Sequence, residues 1–173
     1  LRCDKINSIQ INNKEIINLS MITTKKLQIS NNQNYIIVEK KIKDEKFIVA
    51  SFEEFDDQYS KKYSKDEGKE LIKKKLNFDI VIQVNSKSQI VDRKSREICV
   101  LCTFPLIGSE NFQLPYLINC PVFETSTERK GLILEGDVND SSGILTNSGL
   151  NRLVLNKSID LFSNVLDYLI ENN

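Results

Sequence analysis

Three groups of residues have types and spacing that could do chemistry. Cys99 and Cys102 form a Cys-x-x-Cys pair, the spacing of zinc knuckles and thiol–disulfide sites. Such sites need a turn or a helix start at the pair, whereas Ile98-Cys99-Val100-Leu101-Cys102 reads as a buried strand. Side chains three apart on a strand face opposite ways, so both thiols are expected to be small buried groups without metal or disulfide. Glu39-Lys40-Lys41 matches the Glu-x-Lys half of a metal-dependent nuclease core, but Asp4 is the only upstream aspartate to complete it. Charges alternating outward on a half-exposed strand are the simpler reading. Lys61-Lys62 and Lys73-Lys74-Lys75 lie in a region that also carries Tyr59 and Tyr63, a mixture that could follow a nucleic-acid backbone and stack bases. Acidic residues are mixed throughout, so a core-facing aromatic stripe with solvated lysines is expected instead.

Composition removes much other chemistry. The chain has no His, which excludes a histidine general base, a Ser-His-Asp triad and every His-ligated metal site. With six Gly in all, it has neither a Walker-type loop nor a Gly-x-Gly-x-x-Gly. Lys plus Arg equals Asp plus Glu at 24 each, so no net field draws the chain to nucleic acid or an acidic membrane. No apolar run approaches the roughly 20 residues that span a bilayer. No secretory signal is visible either, and a cytoplasmic location is expected. A length of 173 residues suits one domain with a real core. The chain begins with Leu1 and reads as a piece of a longer one.

The elements that must position these residues follow from periodicity. Ile6–Ile11, Leu27–Ile29, Tyr35–Ile42 and Phe47–Phe52 read as strands broken by the polar turns 31–34 and 43–46, an antiparallel meander. Glu15–Ile22 is ambiguous. Phe52, Phe55, Tyr59 and Tyr63 recur at helical spacing. Ser64-Lys65-Asp66-Glu67 fits a capping box opening a helix that carries Leu71, Ile72 and Leu76. Phe78–Val84, Glu97–Thr103 and Leu114–Cys120 read as strands. Leu150, Leu153, Ile159, Phe162, Leu166 and Leu169 predict a helix over 148–171 capped by Asn147 or Ser148, with Gly149 weakening its first turn. The predicted core includes Ile37, Val49, Ile80, Ile82, Val100, Leu117, Ile133, Phe162 and Leu166.

All three prolines fall between Phe104 and Leu134. Pro105 should end a strand, Gly108 should permit a sharp turn, and Thr125–Arg129 should form a polar loop ending in an exposed cation. The order Phe104-Pro105-Leu106, Leu114-Pro115, Ile118-Asn119, Pro121 and Glu128-Arg129 resembles a segment of the bacterial sacsin-type ATPases. Their amino-terminal domain belongs to the GHKL class shared with a heat-shock chaperone. The resemblance is best from Phe78 to Leu132, extends to the helix around 156–169, and covers the first 77 residues only in strand rhythm. The family's ATP site uses a helix Glu and Asn, an Asp-x-Gly-x-Gly and a Gly-rich lid, and none of these occurs in this sequence. The resemblance therefore implies a segment following the ATP-binding domain, with ATP and Mg held by that domain and no cofactor here. By the same likeness Arg129 or Lys130 would reach the terminal phosphate. An ion pair of Arg129 with Glu124 or Glu128 that orders the loop is the other reading.

The expected fold is α+β: a mostly antiparallel sheet, one or two short helices in the middle and a carboxy-terminal helix packed on one face. One domain spans 1–173, with a strand meander at 1–52, a helical insert at 53–76, strands and the proline motif at 77–135, and the terminal helix at 148–171. The expected function is a non-catalytic middle or transducer-like domain of a chaperone-like ATPase. Its expected partners are the upstream ATP-binding domain of the same chain and a client protein or a second copy, with no membrane and no nucleic acid. The alternative is an interaction scaffold with no nucleotide role.

Overall fold

The computed structural model describes residues 8–11, 14–18, 23–27, 35–42, 44–68, 70–93, 97–128 and 130–172, the first three stretches by their backbone. The turn expected at 31–34, Cys3, Asp4 and Arg129 lie outside the described residues. Strands β1 (Ser8–Ile11) and β2 (Lys14–Asn18) pair as a separate antiparallel hairpin. Strands β3 (Thr23–Leu27), β4 (Tyr35–Ile42), β5 (Glu45–Phe55) and β6 (Lys75–Val84) form an antiparallel meander, with helix α1 (Asp57–Asp66) between the last two. Strands β7 (Val100–Cys102), β8 (Phe104–Pro105) and β9 (Leu117–Asn119) complete a seven-stranded sheet in the order β3-β4-β5-β6-β9-β7-β8. Among the described strands of this sheet, only the β7–β9 pair is parallel. Helix α2 (Asn147–Glu171) closes the described chain. The fold is α+β with a mostly antiparallel sheet.

Cross-strand register explains the core. Ile37, Ala50, Ile80, Ile118 and Val100 are partners across five adjacent strands, and each is 0% exposed. Side chains alternate along strands, so this row and its neighbours two residues away form the face covered by the helices. Leu150, Val154, Leu161 and Val165 of α2 and Tyr59 of α1 join the same buried cluster. On the other face Val38, Val49, Val81 and Leu117 form a second row, and all four are only half-buried. Val49 and Leu117 were expected in the core, where Ile48, Ala50 and Ile118 sit instead. Phe47–Ala50 is apolar at every position, so the run carries no alternation to fix its phase. Ile133, Phe162 and Leu166 are likewise half-buried.

The middle segment also differs from expectation. Phe52 and Phe55 belong to β5, and α1 starts at Asp57, where the Asp56 carboxylate accepts the Tyr59 N–H at 2.8 Å. Ser64 lies in the last turn of that helix rather than opening another. Its hydroxyl donates to the Ser60 carbonyl and accepts the Ile72 N–H at 2.9 Å, tying the returning chain to α1. Leu71 and Ile72 lie outside any helix and are 66% and 40% exposed. Among the described residues α1 is the one helix of the 53–76 segment, and a single 3-10 turn lies further on at Ser109–Phe112.

Helix α2 is capped by Thr146, whose hydroxyl accepts the Gly149 N–H at 3.1 Å. Its buried stripe runs Leu150, Val154, Ser158, Leu161, Val165 and Leu169, sharing Leu150 and Leu169 with the expected one but replacing its middle positions, and leaves Ile159 55% exposed. Ser158 is tolerated in that stripe because its hydroxyl bonds the buried Tyr116 hydroxyl at 2.9 Å.

Candidate functional site

The proline motif folds around one hairpin. Thr125 and Leu132 form a bridge, the Ser126 N–H donates to the Gly131 carbonyl at 3.0 Å, and the Ile133 N–H to the Glu124 carbonyl at 3.1 Å. Near the tip, the Lys130 N–H donates to the Ser126 hydroxyl. The Lys130 ammonium pairs with Glu128, and these side chains are 76% and 70% exposed. The structure thus puts Lys130 on a solvent-facing turn. Arg129 lies between these two residues in sequence, outside the described residues.

The hairpin base is fixed from α2. Asn151, 0% exposed, donates its amide to the carbonyls of Glu124 at 2.7 Å and Ile133 at 2.8 Å, and accepts the Glu124 N–H at 2.9 Å. One side chain thus partners the Glu124 N–H and the Ile133 carbonyl, and adds a second donor to the Glu124 carbonyl that already accepts the Ile133 N–H. Arg152 donates from Nε to the Leu134 carbonyl at 3.0 Å. Ser148 donates to the Asp137 carbonyl at 2.9 Å. Four successive points of the irregular segment 124–138 are therefore gripped by the first two turns of one helix. Sequence reasoning missed Asn151. Its type carried no signal of its own, since the same buried side of the helix also holds Ser148 and Ser158.

The two ends of the motif meet at Gly108. With φ at +92°, Gly108 adopts a left-handed conformation, and a Cβ there would lie 2.5 Å from the Lys130 carbonyl oxygen. The Glu110 carboxylate accepts the Gly108 N–H at 2.8 Å. Phe104 and Ile107, on either side of buried Leu106, are 64% and 70% exposed. The hairpin tip and these two apolar side chains are thus linked through the Gly108 turn.

A cleft of about 300 Å³ opens beside the 3-10 turn, with Asp92, Arg93 and Glu97 on one wall and Glu110 and Gln113 on the other. Its one described cation is engaged: Arg93 donates to the Ile98 carbonyl at 2.7 Å and lies 3.7 Å from the Glu97 carboxylate. Cys99 lines the same cleft, donating its thiol to the Ser109 carbonyl, and burial raises its pKa. Neither feature supplies a nucleophile: a thiol held neutral attacks slowly.

The other candidates disperse. Cys99, Cys102 and Cys120 are all buried. Burial pushes the Cys120 thiol up to about 12. Glu39 pairs with Lys46 at 2.9 Å. Among the described residues no cluster of three or more Cys, Asp or Glu is placed to hold a metal. Four of the lysines of 61–75 are matched by acids and rings: Lys62 with Asp66, Lys65 with Asp140, Lys75 with Glu53, and Lys74 over the Tyr63 ring at 4.3 Å. No described helix is long and apolar enough to cross a membrane. Comparison with known proteins yields no match to any family model, curated protein or solved structure.

Proposed function

We propose that this chain is a non-catalytic middle or transducer-like domain of a chaperone-like ATPase of the sacsin-type GHKL class, acting in the cytoplasm. In this reading it docks against the ATP-binding domain of the same protein, which holds ATP and Mg. The observation that carries the reading is the mounting of the motif hairpin: Asn151 fixes its base while Lys130 stands exposed at its tip. A cation on a fixed mount can meet a phosphate without being reorganised at the moment of reaction. Phe104 and Ile107, exposed beside it, supply apolar contact to the same partner surface. Arg129 and Lys130 are the residues proposed to approach the terminal phosphate.

The test uses the full-length protein. Arg129→Ala and Lys130→Ala should lower ATP turnover by roughly tenfold or more, in the range of removing one transition-state donor, with nucleotide affinity unchanged. Unchanged turnover in both variants would remove the phosphate role. The scaffold reading, with no nucleotide role, is favoured by the pairing of Lys130 with Glu128, which already gives that ammonium a partner. An intact Asp-x-Gly-x-Gly in the coding sequence upstream of Leu1 separates the two, since only the first requires it.

A further inference from the structure

Helix α2 carries a second apolar row beside its core stripe. Leu155, Ile159, Phe162, Leu166 and Ile170 recur at helical spacing, which places them along one side. That side lies roughly a quarter turn round from Leu150, Val154, Ser158, Leu161 and Val165. A helix that covers only its own sheet needs one stripe. Leu155 and Phe162 lean on the edge of the core, Phe162 with its ring 4.9 Å from that of Tyr116. Both stay half-buried, as does Leu166, while Ile159 and Ile170 are 55% and 76% exposed. From Leu155 to Leu166 the steps alternate four and three, the spacing of a coiled-coil seam.

Charge along α2 runs against the preference of an isolated helix, which favours acids at its start and bases at its end. The first turn holds no acid and the last turn no base. Arg152, bonded to the neutral Leu134 carbonyl, stands near the amino-terminal end, and exposed Asp167 and Glu171 stand at the other. We infer that a second copy of this chain docks on this row, with its α2 antiparallel to the first. Antiparallel pairing sets the Arg152 end of one helix beside the Asp167–Glu171 end of the other, and opposes the two dipoles. Parallel pairing would put like charge beside like. A two-fold axis turns the row onto itself, so one stripe supplies both halves of the contact. The seam over 155–170 is only ~24 Å long, so the dimer forms and dissociates with concentration. The inference is independent of the proposed nucleotide role, which concerns the 124–133 hairpin.

Sedimentation equilibrium on the full chain tests it. Monomer should pass to dimer as concentration rises, and a monomer persisting to about 1 mM overturns the inference. Ile159→Asp with Ile170→Asp changes exposed positions and should keep the helical circular dichroism while weakening association at least tenfold. A dimer that this variant leaves intact also overturns it. Dissociation by Phe104→Asp with Ile107→Asp instead would give the contact to the sheet edge and reject the row. Spin labels read the orientation, with Cys3→Ser removing a competing thiol. Labels at Asp160→Cys should lie close together, and labels at Asn172→Cys roughly 35 Å apart along the axis. Short distances at both positions mean parallel helices and reject the antiparallel pairing.

Discussion

Asn151 holds both backbone groups of Glu124, accepting its N–H at 2.9 Å and donating to its carbonyl at 2.7 Å, across 27 residues of chain. The pairing joins α2 to a segment with no sheet of its own, and it sets where the hairpin tip points.

Replacing Asn151 by Ala should destabilise the fold by about 1–3 kcal/mol, because the Glu124 N–H and the Ile133 carbonyl lose this partner while the Glu124 carbonyl keeps the Ile133 N–H. Asn151→Asp should be worse, since a carboxylate would face two carbonyl oxygens without a donor. Urea denaturation reads the size of the loss. Hydrogen exchange at the Glu124 amide should accelerate more than exchange within β5 and β6.

Gly149→Ala ought to stabilise a helix by propensity, by roughly 1 kcal/mol. Here the opposite is expected. A Cβ at 149 would lie 2.0 Å from the Val138 carbonyl oxygen, so the 137–146 loop must shift off the helix. A fall in thermal midpoint for Gly149→Ala, set beside a rise for Ser163→Ala at an exposed position of the same helix, would distinguish contact from propensity. Gly108→Ala should also destabilise, for both its φ and its Lys130 contact.

Asp140 should titrate far below an ordinary carboxylate. The hydrogen bond from Lys65, with backbone N–H groups of Ile144 and Ser142, lowers its pKa to about 2. A pKa depressed in the folded state means its contribution is present above the unfolded value near 3.8 and is lost as pH falls toward 2. Carboxyl-carbon NMR should place the midpoint near 2, and Lys65→Ala should move it upward. A midpoint already ordinary in the unsubstituted chain would mean that the Lys65 contact is absent in solution.

Cys120 gives the matching alkaline prediction. Its thiol is raised from 9.0 to about 12 by burial, so the folded state keeps the proton that the unfolded chain loses. That contribution is complete below pH 9 and disappears as pH climbs toward 12. Tyr116, also raised by burial, acts in the same direction. At about pH 8, below the ordinary thiol range, a thiol reagent should label Cys120 only as fast as the chain unfolds. Rapid labelling of native protein would contradict the burial.

Local chemistry was readable along the chain. Strand and turn rhythm through 35–52 and 78–88 was legible because β-branched runs and polar breaks act over a few residues. So was the terminal helix, expected at 148–171 and found at 147–171. Gly108 was placed at a turn from its type alone, and its φ of +92° agrees. Phase was not readable. Val49 and Leu117 fell on the half-buried face because both sides of those strands are apolar there, and only the pairing of their neighbours with Ile37 and Ile80 chooses between them. Ser64 looked like a helix start, yet the same hydroxyl serves the end of α1 because Ile72 returns beside it. Asn151 and Ser158 gave no warning, since a polar side chain on a buried stripe makes sense only once its distant partners, Glu124 and Tyr116, are beside it. Rules that act within a few residues survive in one dimension. Partners dozens of residues apart exist only after the chain has closed on itself.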